Sequence, residues 1–143
     1  MIAVDTNILV YAHREDSPHH AAALDALRSL VEAGRPWGVP WPCVHEFLAI
    51  ATHRRIYDPP TSAEVASRAA TDLLALEGCR PLAETADHLL ILTGLVTRAR
   101  LAGPAVHDAR VAAICLGHGT DELLTADRDF GAFPALRTRN PLV

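Results

Sequence analysis

The sequence predicts a three-layer α/β/α sandwich around a central, mainly parallel sheet. Three observations favour this fold class, and the first two are that short apolar runs alternate with longer segments of helical periodicity and that loops rich in Pro and Gly separate them. The third is composition, since 50% of the 143 residues are hydrophobic and only 5% are aromatic, which is typical of helices packed on a sheet. Strands that alternate with helices pair in parallel and are covered on both faces. We therefore expect residues 1–143 to form a single domain of this class.

The first third of the chain contains two predicted strands and three predicted helices. Residues 2–4 are an apolar run that ends at an acid, and a short helix follows. Apolar residues at helical spacing continue from His19 to Ala33. Residues 37–39 form the second strand. The next helix runs from Pro42 to about His53, with the proline at its first position.

The alternation continues through the rest of the chain. A capping-type start at Thr61 or Ser62 and a glycine stop at Gly78 bound one helix. The elements predicted after it are a minor strand at residues 80–82, helices within 84–103 and at 106–116, and strands at 123–124 and 136–138.

Charge and cysteine content exclude several classes of protein. A net charge of −4 argues against a sequence-independent nucleic-acid coat, which needs concentrated positive charge, but it leaves a nuclease open. The three cysteines are odd in number and far apart, which favours reduced core thiols over a disulfide framework or a zinc site. We therefore expect a cytoplasmic protein. No apolar run is long enough to span a bilayer, and we expect no membrane association.

Four acids from separate parts of the chain are predicted to meet at one edge of the sheet. Asp5 and Asp127 each follow a strand, whereas Glu46 and Asp108 lie in the first turns of helices that begin at the same edge. Open α/β folds hold their ligands at this carboxyl edge. Taken singly, each acid could cap a helix or shape a turn. Together they would raise one another's pKa unless a cation offset their charge, and an all-oxygen set favours Mg²⁺ or Mn²⁺.

Four motifs occur in a fixed order from Met1 almost to the C-terminus: VDTNILVYA, HEF, HDARVAA and LLTADRDF. Together they resemble the PIN-domain family, especially the VapC toxins of bacterial toxin–antitoxin pairs. The resemblance implies a Mg²⁺- or Mn²⁺-dependent endoribonuclease that hydrolyses phosphodiester bonds of tRNA or rRNA. It also implies a cognate VapB-type antitoxin as partner and a homodimer. The apolar faces of residues 43–51 and 62–76 are the predicted groove for an antitoxin helix.

Carried over residue by residue, the family's acidic quartet falls on Asp5, Glu46, Asp108 and Asp127. The resemblance implies that Asp5 and Asp108 bind metal directly, while the other two bind a second ion, orient water or act as general base. Many relatives have Asn at the place of Asp127 and Asp129 stands close by, so either acid can be the fourth.

Accessory roles fall on three further side chains. Thr6 and Thr125 are expected to position ligands or water, or simply to cap strand ends. Arg110 is expected to contact RNA phosphate or, more commonly, to pair with a neighbouring acid of the quartet.

Other enzyme classes fit less well. A haloacid-dehalogenase-type phosphatase needs an acid where Asn7 stands, a response-regulator receiver needs a late lysine that this chain lacks, and HD hydrolases are all-helical. Two alternatives remain: a structure-specific DNA nuclease with the same metal site, and a catalytically silent PIN-fold binding protein. Trp37 and Trp41 flank a predicted buried strand, so we expect core packing, with base stacking as the alternative.

Overall fold

The computed structural model describes all 143 residues. Its five strands pair in parallel in one sheet, in the order β3-β2-β1-β4-β5. The strands are β1 (Ile2–Val4), β2 (Trp37–Pro40), β3 (Cys79–Leu82), β4 (Glu122–Leu124) and β5 (Thr138–Arg139). Helices flank the sheet, so the predicted α/β/α architecture is confirmed.

The side of β1 on which the chain adds strands changes between β3 and β4. The chain adds β2 and then β3 on one side of β1, and it later places β4 and β5 on the other side. Ligands of open α/β sheets bind at such a topological switch point, outside the carboxyl ends of the strands. The register places Val4 beside Leu124, so the residues that follow these two are neighbours at that edge.

Six α-helices and one 3₁₀ helix connect the strands. They are α1 (Thr6–His13), α2 (His20–Glu32), α3 (Trp41–Ala51), α4 (Ala63–Leu74), α5 (His88–Ala99), α6 (Ala105–Gly117) and the 3₁₀ helix Arg128–Ala132. Helix α1 packs against α2 and α3, α3 packs against α4, and α5 packs against α6. None of the helices has the length and hydropathy that a membrane crossing requires.

The predicted elements all form, with shifts at their ends. Helix α3 begins one residue before Pro42, and α5 occupies only the middle of its predicted segment. The last strand forms at Thr138–Arg139, two residues later than predicted at its start, and Leu136 packs into the core before it. Ser62, rather than Thr61, caps α4, and its Oγ accepts from the backbone N–H of Val65 at 3.2 Å. Helix ends depend on such caps, which spacing alone does not resolve.

The core is continuous across the sheet and contains 28 buried residues. Trp37 is 1% exposed, and its indole N–H donates to the carbonyl of Glu77 at 3.0 Å. Trp41 is only partly buried but packs against the core, so the core packing predicted for both tryptophans is complete for Trp37 and partial for Trp41. The three cysteines are free thiols, as predicted.

Candidate active site

Asp5 is the most enclosed acid at the carboxyl edge of the sheet. It follows β1 and caps α1, and its side chain is buried. Its Oδ1 accepts from the backbone N–H of Thr6 at 2.8 Å and from the thiol of Cys43 at 3.5 Å. Its Oδ2 accepts from the hydroxyl of Thr125 at 2.6 Å and from the amide of Asn7 at 3.2 Å. Both carboxylate oxygens are therefore held in fixed positions.

Asn7 joins the ends of β1 and β4. Its Nδ2 donates to Thr125 Oγ1 at 3.3 Å as well as to Asp5, and its Oδ1 accepts from the backbone N–H of Ala126 at 3.2 Å. Neither Asn7 nor Cys43 was predicted from the sequence to belong to this site. The position of Asn7, two residues after the strand-end acid, was a usable signal. A lone cysteine in an apolar helix gave none.

Glu46 is connected to Asp5 through Thr6. The Thr6 hydroxyl donates to Glu46 Oε2 at 3.0 Å, while the Thr6 backbone N–H donates to Asp5. Glu46 is exposed on the second turn of α3. Thr6 thus contacts two predicted site residues, which is the arrangement expected of a positioning residue.

The positive ends of the α1, α3 and α6 dipoles also lie at this edge of the sheet, because all three helices start there.

Three further carboxylates form a compact group. One oxygen from each of Asp108, Asp127 and Asp129 lies within 4.8 Å of the others. Asp127 Oδ1 accepts from the backbone N–H of Asp129 at 2.8 Å, which caps the 3₁₀ helix, and its own N–H donates to Thr125 Oγ1 at 3.0 Å. The structure therefore brings both candidates for the fourth acid beside Asp108.

The acids perturb one another's ionisation. Burial raises the pKa of Asp108 to about 6, and the charges of Asp127, Asp5, Asp129 and Glu46 add to this effect. Burial also raises the pKa of Asp5, although its hydrogen bonds from Thr125, Thr6 and Cys43 oppose the rise. Negative charge is therefore concentrated beyond what the protein itself compensates.

No basic side chain neutralises this cluster. The salt bridges of the protein involve other acids, so Asp5, Glu46, Asp108, Asp127 and Asp129 lack a cationic partner. Their donor atoms are all carboxylate oxygens, the ligands that hard divalent cations prefer. The residues present therefore fit a Mg²⁺ or Mn²⁺ ion.

A cavity of about 650 Å³ opens over the acids. Asp5, Glu46, Asp108 and Asp129 line it, together with His45, His107 and Arg110. A larger cavity, about 840 Å³, lies at the opposite edge of the sheet around Met1 and Trp37 and contains none of these acids. The chemistry of the donor atoms, rather than cavity size, identifies the candidate site.

Arg110 does not pair with any acid of the quartet. Its guanidinium donates to Glu84 Oε1 at 2.6 Å through Nη2 and at 3.0 Å through Nε, and this hydrogen bond lowers the pKa of Glu84. The expected pairing with a neighbouring acid is therefore wrong. Residues 110 and 84 belong to segments that approach each other only in the folded chain.

The fold and the site define a class: parallel α/β/α proteins with a carboxylate cluster at the switch point of the sheet. The PIN domain family model matches residues 2–136, and the chain belongs to the PIN-domain family. Ribonuclease VapC43 of Mycobacterium tuberculosis is 35% identical over 142 residues, which cover 99% of this chain and 96% of the relative. Ribonuclease VapC31 of the same species is 33% identical over 141 residues, 99% of each chain.

Solved structures of low identity share the fold. VapBC2 from Rickettsia felis, crystallised with a promoter DNA fragment, matches with a TM-score of 0.73 and 17% identity over 98% of each chain. VapC20 of Mycobacterium tuberculosis, described as a sarcin–ricin loop cleaving toxin, matches with a TM-score of 0.69 and 18% identity over 94% of this chain and 95% of that one. The PIN-type fold predicted from the motifs is thus confirmed.

Proposed function

We propose that the protein is a divalent-metal-dependent endoribonuclease that acts as the toxin of a VapBC-type pair. The observation that carries the proposal is the cluster of five carboxylates without a cationic partner at the switch point of the sheet. Relatives that are named ribonucleases support RNA as the substrate.

Asp5 and Asp108 are the proposed direct ligands of Mg²⁺ or Mn²⁺, with Glu46 and either Asp127 or Asp129 completing the site. When bound, the ion supplies positive charge that stabilises the phosphate transition state and lowers the pKa of water. Thr125 and Asn7 hold Asp5 in place, and Thr6 holds Glu46.

Side chains and helix ends of the protein carry out proton transfer and attract the RNA phosphate. Whichever of Glu46 and Asp127 does not bind the metal directly is proposed to orient the attacking water and to accept its proton. The amino ends of α1, α3 and α6 favour the approach of an RNA phosphate to an otherwise acidic edge.

A cleavage assay tests the proposal. Purified protein is incubated with single-stranded RNA, tRNA, rRNA and DNA in the presence of Mg²⁺, Mn²⁺ or EDTA, beside the Asp108→Asn variant. We expect cleavage of RNA with either metal and none with EDTA or with the variant. Cleavage of branched DNA alone would instead identify a structure-specific DNA nuclease, and no cleavage of any substrate would favour a silent binding protein. Sequencing the new 5′ ends after expression separates tRNA from rRNA targets.

We further propose that a VapB-type antitoxin helix binds an apolar groove between α1, α2, α3 and α4. The groove encloses about 290 Å³, and eight of its ten lining residues are hydrophobic, including Leu9, Leu24, Phe47, Leu73 and Leu76. An amphipathic helix fits such a groove with residues spaced three and four apart. An arginine of the same antitoxin could pair with the acid cluster, because no basic side chain of this protein already does so.

A homodimer is proposed through α5. Leu89 and Leu90, the second and third residues of this helix, are 70% and 77% exposed, a large apolar exposure for neighbouring leucines. Burying such a pair against a second copy is favourable. Light scattering of the parent and of Leu90→Glu tests this, with a dimer expected only for the parent.

We also infer that residues 1–143 act as one domain in the cytoplasm. The family model extends over nearly all of that length. Free thiols at Cys43, Cys79 and Cys115 are typical of a reducing compartment.

A further inference from the structure

An aromatic pair lies at the rim of the carboxylate cavity. Trp41 and His45 are one turn apart at the start of α3, with ring centroids 6.2 Å apart and ring planes inclined by 23°. His45 is exposed and lines the cavity beside Glu46. Because the side chain is exposed and Trp41 lies to one side of it, the imidazole stays accessible from the cavity.

Neither ring is used by the protein for hydrogen bonding. The indole N–H of Trp37 has a carbonyl acceptor, whereas the side chains of Trp41 and His45 make no hydrogen bond. Trp41 is also only partly buried. Its large ring therefore stabilises the core less than that of Trp37, and a polar donor stays free at the edge of the site.

The cavity offers little positive charge to an RNA strand. Arg110 is the single arginine that lines it, and its guanidinium is engaged by Glu84. The whole chain carries a net charge of −4. Basic side chains therefore offer few phosphate contacts at this position, which favours a contribution to the affinity from contacts to the bases.

We propose that His45, supported by Trp41, stacks an unpaired nucleobase of the RNA next to the bond that is cleaved. This assignment rests on the proposed ribonuclease function. A base presents its face to a side chain only when it is unstacked from its neighbours, so the pair favours single-stranded segments over duplex. Stacking tolerates any base, since every base has a π-face.

Binding of short oligonucleotides tests the proposal. All four proteins carry Asp108→Asn, which prevents cleavage. Titrations with a fluorescent hexaadenosine RNA compare the protein that keeps His45 with its His45→Ala, His45→Phe and His45→Gln variants. We expect the dissociation constant to rise about 5- to 100-fold for Ala and Gln and to stay near the parental value for Phe. An abasic hexamer with the same phosphates should bind all four proteins equally.

Three controls separate stacking from charge and from misfolding. His53→Ala, an exposed histidine beyond the other end of α3, should leave hexaadenosine binding unchanged. Fluorescence of Trp41 should be quenched by hexaadenosine, and the quenching should be absent in Trp41→Phe. Melting temperatures verify that each variant is folded.

The outcomes distinguish this proposal from the one on which it rests. If the parent cleaves RNA but His45→Ala matches it in KM and in binding, the stacking role is wrong while the ribonuclease assignment stands. Equal losses with the abasic and the normal hexamer would also overturn it, because they indicate a phosphate contact. If the parent cleaves no RNA, the proposed function itself fails.

Discussion

The hydroxyl of Thr125 donates to Oδ2 of Asp5 at 2.6 Å, although 120 positions separate the two residues in the chain. Thr125 follows β4 and Asp5 follows β1, so this hydrogen bond spans the switch point of the sheet. The same hydroxyl accepts from the N–H of Asp127. Thr125 thereby sets the positions of two predicted metal-site acids at once.

Thr125→Val is expected to impair catalysis more than folding. The side chains are nearly isosteric, but valine cannot donate a hydrogen bond to Asp5 or accept one from the N–H of Asp127. Both acids therefore lose the hydrogen bond that fixes their position. We expect kcat/KM to fall about 10- to 100-fold, as for other residues that orient metal ligands. Thr125→Ser, which keeps the hydroxyl, should retain most activity. Equal activity of Val and Ser variants would show that Thr125 only fills space.

Asp108→Asn is expected to abolish cleavage and to leave the metal-free protein at least as stable. The amide is nearly isosteric, yet it removes one charge from a repulsive cluster. With Mg²⁺ about 100-fold above its Kd, the melting temperature of the parent should rise by roughly 8 °C, and that of the variant much less. Calorimetry with and without Mg²⁺ measures both values. Equal shifts in the two proteins would mean that Asp108 is only a helix-start residue.

Stability of the metal-free protein should depend on pH through Asp108. Its folded-state pKa of about 6 exceeds its ordinary value of 3.8, so the native state retains the proton longer than the unfolded state. The stabilisation is fully present below pH 3.8 and is lost as pH rises to about 6. Because the side chain is partly exposed, we expect only about 1–2 kcal/mol.

Urea unfolding of the parent and of Asp108→Asn between pH 3.5 and 7 measures this difference. Subtracting the variant removes the effects of Asp16, Glu84 and Asp121, whose lowered pKa values act in the opposite direction. A parent-minus-variant difference that is flat with pH would contradict the raised pKa. Mg²⁺ binding should weaken below pH 6, since a bound carboxylate must be deprotonated.

Leu76→Glu is expected to weaken antitoxin binding without unfolding the toxin. Leu76 lines the apolar groove and is 38% exposed, so a charge there is hydrated in the free protein but buried in the complex. The matched control is Val65→Glu on α4, which is 49% exposed and lies outside the groove. Co-purification with the product of the neighbouring gene should fail for Leu76→Glu alone. Retention by both variants would exclude the groove as the docking site.

The amino-acid sequence by itself determined the alternation of strands and helices, because apolar periodicity is a local property. Parallel strands then require that Asp5, Glu46, Asp108 and Asp127 all lie near one edge, without knowledge of strand order. These regularities, with four motifs in order, were enough to predict the PIN-type fold and to select the acids at the edge.

Only the tertiary structure decided which side chains touch. The Thr125–Asp5 hydrogen bond requires β1 and β4 to be neighbours, and the Arg110–Glu84 pair requires a loop to reach α6; neither follows from local spacing. The different burial of Trp37 and Trp41 has the same origin, since one lies within β2 and the other begins the helix that leaves the sheet. Side-chain partners depend on long-range packing, and that packing is settled only when the strands assemble.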